Sequence, residues 1–164
     1  MPEAGEGGSV ERVRTALLAA CHPDTIAHFP DGTRTAEDAA RAVGCAVDQI
    51  AKSLVFRRRG SNRPVLVIAS GANRVDEAKV AGLVGGAVER ADGRWVRETT
   101  GFAIGGVAPI GHTVQPLVLI DETLARYDRI WAAAGSPRHV FETTAADLLR
   151  LTGGRLAEVA ARKP

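Results

Sequence analysis

The chain has 164 residues, enough for one domain with a sizeable core, and its 45% hydrophobic content agrees with that. Only 4% of residues are aromatic, so an aliphatic core is expected and base stacking across an aromatic platform is disfavoured. A formal net charge of +2 and a pI near 8.8 permit an anionic ligand without demanding nucleic acid.

Residues 1–8 are acidic and glycine-rich and are expected to be a disordered tail ahead of one domain spanning 9–164. They offer neither a basic nor an apolar signal segment, and no apolar run is long enough to span a bilayer. The expectation is a soluble cytoplasmic protein with no membrane partner. A helix is predicted from Ser9, with Val10, Val13, Leu17 and Leu18 on its apolar face, ending before Pro23. Thr25 to Phe29 reads as extended and Asp31-Gly32 as a turn. Thr35 followed by Asp38 approximates a capping box for a helix lined by Ala36, Ala39, Ala40 and Val43 and stopped by Gly44. Lys52 to Arg59 and Pro64 to Ser70 read as a hairpin, the second strand apolar on both faces and therefore central. A helix follows from Val75 to Val84, then strands near Ala87 to Arg90, Phe102 to Val107 and Leu117 to Ile120. Glu122 to Tyr127 reads as a short helix, Arg129 to Ala133 and His139 to Glu142 as extended. A last helix is capped by Thr144 with Asp147. Several strand pairs lack a crossover helix, so the expected class is α+β, a single domain with a mixed, largely antiparallel sheet flanked by helices.

The stretch GFAIGGVAPIGH, Gly101 to His112, carries the densest backbone freedom in the chain. It lacks GxGxxG. GVAPIGHT imitates P-loop spacing, but His112 stands where the phosphate-binding lysine belongs and Pro109 removes a backbone donor. Two readings remain: a bulge and tight turn between strands, or a loop whose N–H groups approach a ligand or developing oxyanion. Lys52, sharing a strand face with Leu54 and Phe56, is the candidate partner of such a loop; it either snorkels into water at the strand end or points into a pocket. Arg57, Arg58, Arg59 and Arg63 form either a solvated hairpin end or a phosphate-contacting patch. His28, His112 and His139 have no metal spacing. Cys21 and Cys45 read as buried free thiols, with neither a zinc site nor a disulfide framework. No GxSxG nucleophile elbow occurs.

In order and approximate spacing, TAEDAARAVGC, QIAKSLVF, NRVDEAKVAGLVG, TGFAIGGVAPIGH and GSPRHVFETTAADLLRLTG resemble the YbaK and prolyl-tRNA synthetase-associated editing domain family, over nearly the whole chain. The resemblance implies that family's fold and a free-standing deacylase of mischarged tRNA, without metal or organic cofactor. Its partners would be the aminoacylated tRNA acceptor end and prolyl-tRNA synthetase. The family's lysine matches Lys52, and its glycine loop matches Gly105, Gly106 and Pro109 with Ile110 and Gly111. The lysine would engage the terminal nucleotide while loop amides hold the aminoacyl carbonyl, and a water attacks. Substrate contacts are expected from His28, Ser53, Ile110, Gly111, His112, Gly135, Arg138 and His139, and tRNA phosphate contacts from Arg57, Arg58 and Arg59. Ser53 resembles the subgroup that clears cysteine or another small amino acid. Relatives that clear alanine carry Asn there and a histidine in a later segment that His139 matches only by region.

Overall fold

Capping chemistry sets most helix boundaries. A computed structural model describes residues 6–162, and helix α1 runs Glu6–Ala19. It therefore begins before Ser9, while the disorder expected for the tail falls, for residues 1–5, outside the described residues. Val10, Val13 and Leu17 are buried, whereas Leu18 is exposed, because it stands one residue, about 100°, off the apolar face. In α2 (Ala36–Val43) the Thr35 hydroxyl accepts from the Asp38 N–H, and Gly44 closes the helix in the left-handed region. Helix α3 (Glu77–Val84) is capped by Asp76 and α5 (Ala145–Thr152) by Thr144. Helix α4 (Gly93–Thr100), capped by Asp92 and closed by Gly101, was not foreseen. It displaces the strand expected over Phe102 to Val107, which is a loop. The segment Glu122–Arg126 forms a 3-10 turn.

The strands are β1 (Ile26–His28), β2 (Ile50–Arg58), β3 (Pro64–Ser70), β4 (Val88–Arg90), β5 (Leu117–Asp121), β6 (Ile130–Ser136), β7 (His139–Thr143) and β8 (Arg155–Ala157). They make one mixed sheet in the order β1-β7-β6-β2-β3-β5-β8, with β4 pairing β2. The pairs β1–β7, β2–β3, β2–β4 and β6–β7 are antiparallel; β2–β6, β3–β5 and β5–β8 are parallel. This is the α+β class expected. Strand β3 is buried along its whole length, as a central strand must be. On one face α1, α4 and α5 cover Ala51, Val55, Leu66 and Ile68. On the other, α3 covers Phe56, Val65 and Val67 while α2 covers Ile50 in a separate small cluster. Both cysteines are free; Cys21 is exposed and Cys45 partly buried, so Cys21 is not the core thiol expected.

Candidate active site

A break in strand pairing creates the cavity. Strand β3 occupies one edge of β2 from Ala51 to Arg57. The other edge is shared: β6 pairs with Ile50 and Ala51, and β4 with Phe56 to Arg58. Lys52 to Val55 thus have no partner strand on that side. The Ala91 N–H reaching the Val55 carbonyl at 3.4 Å is the bond that bridges part of the gap. Because strand residues alternate, the main-chain groups of Ser53 point into the same opening as those of Val55. A cavity of about 280 Å³ sits there, with Thr33, Arg34, Lys52, Ser53, Ile104 and Gly105 in its wall. A smaller chamber of about 70 Å³, bordered by Ser53, Ala91, Val96, Gly105 and Val107, adjoins it beneath the loop.

Lys52 shares its face with Ile50 and Phe56, and stands between the cluster under α2 and the one under α3. Burial lowers its pKa, and the field of Glu37 partly restores it. Its ammonium has no hydrogen bond or ion pair among the described residues. On the opposite face the Ser53 hydroxyl is buried without a hydrogen-bond partner, an arrangement that leaves a donor and acceptor for a ligand.

The glycine loop is a fixed wall. Arg12 of α1 donates from Nε to the Gly111 carbonyl at 2.7 Å and from Nη2 to the Gly101 carbonyl at 2.9 Å, and its guanidinium lies 4.6 Å from the Phe102 ring centre. One side chain thereby ties both ends of the loop to α1. Phe102, Val107, Ala108 and Ile110 are buried in the main core. Gly106 packs on β6 so closely that a Cβ would stand 2.7 Å from the Ser136 Cα, and its N–H is taken by the Ala103 carbonyl at 3.0 Å. Gly105 has a φ of +93°, and the Arg34 side chain lies against it, with Cγ 3.1 Å from where a Cβ would be.

The structure brings together Lys52, Ser53 and Gly105 of the residues singled out in the sequence, with Gly106 packed behind them. Pro109, Ile110, Gly111 and His112 line a separate depression against α1. His112 Nε2 bonds the Ala108 carbonyl at 2.6 Å, its Nδ1 is buried without a partner, and burial lowers its pKa. At the β6–β7 turn, Gly135 has a φ of +98° and abuts the Ser9 carbonyl. The Ser136 hydroxyl shares a 2.6 Å hydrogen bond with His139 Nδ1 and accepts from the Arg138 N–H. His28 stacks on His139 at 4.7 Å. This group touches the site indirectly, through Ser136 under Gly106. Arg57 lies over Trp95 at 5.4 Å, Arg58 donates to the Val84 carbonyl, and Arg59 stands 3.9 Å from Glu89, all at the far end of β2. Arg12 and Arg34 went unnoticed in the sequence. Among the described residues no group of three or more His, Cys, Asp or Glu could hold a metal, and no helix is long and apolar enough to cross a membrane.

Comparison with known proteins adds the family. The model of the aminoacyl-tRNA editing domain matches residues 30–151. The uncharacterized protein YwhH of Bacillus subtilis is 32% identical over 85% of this chain and 88% of its own. EbsC of Enterococcus faecalis, named as a candidate Cys-tRNA(Pro)/Cys-tRNA(Cys) deacylase, is 29% identical over 79% of each chain. The crystal structure of a candidate trans-editing enzyme for prolyl tRNA synthetase is 43% identical and covers 94% of this chain and 98% of that one, with a TM-score of 0.88.

Proposed function

The chain belongs to the aminoacyl-tRNA editing domain family, and from that premise we propose that it is a trans-acting deacylase of mischarged tRNA, clearing cysteine, alanine or another small amino acid from tRNA-Pro in the cytoplasm. The observation that carries this reading is Lys52, a partly buried amine with no hydrogen-bond or ion-pair partner among the described residues, in one cavity with the backbone of Gly105. The substrate ester already has an alkoxide leaving group held by ribose, so a positioned water and a stabilised oxyanion suffice without a nucleophilic side chain. Water attacks the carbonyl carbon, the ester C–O bond breaks, and the amino acid and the free ribose hydroxyl of the tRNA leave. Lys52 fixes the terminal nucleotide. The oxyanion falls to the amides of Gly105 and Val107, since the Gly106 N–H is already bonded to Ala103. No metal or organic cofactor enters these steps.

The small chamber under the loop and the unpartnered Ser53 hydroxyl suit a short side chain able to share one hydrogen bond. Prolyl-tRNA synthetase is the partner such a substrate suggests. The test is hydrolysis of tRNA-Pro carrying alanine, cysteine or serine, beside correctly charged Pro-tRNA, with wild type and Lys52→Ala. Selective release that the variant loses supports the reading. If the folded protein releases nothing from any of them, it is instead a binding module for tRNA or synthetase.

A further inference from the structure

The mouth of the cavity holds a second cation whose position the editing reaction does not by itself explain. Arg34 lies between the Asp31-Gly32 turn and the N-cap of α2, is exposed, and has no hydrogen bond or ion pair among the described residues. Its location is nevertheless specific. The stem packs on the α-carbon of Gly105, its Cγ and Nε lying 3.1 and 3.2 Å from a Cβ built there. The guanidinium therefore rides on the loop that walls the site, and glycine is what allows the approach. Thr33, the preceding residue, is anchored by its N–H and hydroxyl to the Pro137 carbonyl, at 2.6 and 3.2 Å. The following residue, Thr35, caps α2. Both neighbours are thus pinned, so the base of the Arg34 side chain is held in place while its planar fork is open to solvent. Exposed Ile104 lies beside it in the same wall.

We infer that Arg34 binds the 5′-phosphate of the nucleotide whose 3′-ester occupies the cavity. The inference rests on the proposed deacylase reading for the identity of that nucleotide. On a ribose the 5′-phosphate and the 3′-ester are carried at opposite ends, so an ester held inside near Lys52 and Gly105 leaves the phosphate at the mouth. A guanidinium matches phosphate oxygens with two parallel N–H donors, which an ammonium cannot do. The apolar face of Ile104 serves the base or ribose. Glu37, in the first turn of α2, raises the Lys52 pKa and so favours the charged form of the inner amine.

Binding of adenosine 5′-monophosphate and of adenosine, by calorimetry at physiological salt, tests this without any turnover. Wild type binds the monophosphate roughly tenfold more tightly, the size of one charge-assisted contact. Arg34→Gln removes most of that preference, and Arg34→Lys retains part of it. Because Arg34 is exposed, circular dichroism of both variants matches wild type. Equal affinity of wild type for the two ligands, no binding of either at millimolar concentration, or a preference that survives in Arg34→Gln overturns the assignment. Failure of the deacylation assay alongside an Arg34-dependent preference would instead remove the editing reading and leave a nucleotide-binding site.

Discussion

Substituting Gly106 by alanine tests whether the glycine loop is rigid packing or loose ligand-facing chain. The added Cβ would stand 2.7 Å from the Ser136 Cα, 2.8 Å from its carbonyl carbon and 3.0 Å from its nitrogen. Carbon atoms pack at about 3.5–4.0 Å, so loop and strand β6 must separate by close to 1 Å. Neither can yield cheaply. The loop is tied at both ends by Arg12 and sinks Val107 and Ala108 into the core, and Ser136 pairs with His139 of β7 while its hydroxyl also holds the β6–β7 turn. Overpacking of this kind costs about 1–3 kcal/mol, read as a fall in melting temperature of roughly 2–4 °C for each kcal/mol in a chain of this size. Displacing the Gly105 and Val107 amides by that distance lowers deacylation about 100-fold. The control is Gly82→Ala in α3, where a Cβ meets nothing within 4 Å and helix propensity raises stability by about 0.5–1 kcal/mol. A Gly106→Ala protein that melts with wild type and turns over at the wild-type rate would refute the argument.

Two further outcomes follow from buried charge. Burial holds the Lys52 amine below the ordinary lysine value, so between its folded value and that of the unfolded chain the unfolded state binds more protons, and stability rises with pH across that window. Lys52→Met should therefore abolish deacylation while being at least as stable as wild type at neutral pH, an advantage that shrinks at alkaline pH; denaturant unfolding at the two pH values decides it. His112 is likewise held low, by burial first, with the Arg12 charge adding to it and the Ala108 carbonyl opposing. As pH falls below about 6.5 the unfolded chain takes up a proton that folded His112 refuses, so stability drops there. His112→Gln should flatten that limb of the melting profile, and an unchanged slope would count against the assignment.

Local chemistry made much of this fold readable. Thr35 with Asp38 and Thr144 with Asp147 cap helices through the bonds their spacing implies, and period-two alternation placed Lys52 on the face of Leu54 and Phe56. Helix α4 carried comparable signals, Asp92 before it and Gly101 after it. They were obscured because Gly101 reads equally well as the start of a glycine-rich loop, and because Val96 and Thr100 are the buried residues of an otherwise polar helix. The apolar residues from Phe102 to Val107 imitate a strand, yet Phe102 and Val107 are separate plugs of a loop into the core and Ile104 between them is exposed. What sequence could not supply is non-local. The opening in β2 depends on where β6 and β4 stop pairing with it, and Arg34 gains its place from a contact with Gly105, far along the chain. Arg12 is a polar residue on an amphipathic helix until Gly101 and Gly111 are brought to it.

The two kinds of site residue ought to separate energetically. Gly106 lies under the cavity wall and also within the packing of β6, so a substitution there injures fold and activity together, and its activity loss alone says nothing about chemistry. Lys52 is different: its amine is partly withdrawn from water with no ion pair among the described residues, a cost to the folded state that structure alone does not repay. Removing it should raise stability while ending turnover. That opposition of sign distinguishes a group retained for a ligand from one retained for packing, and it can be read from unfolding curves and rates on the same preparations, before the amino acid cleared is known.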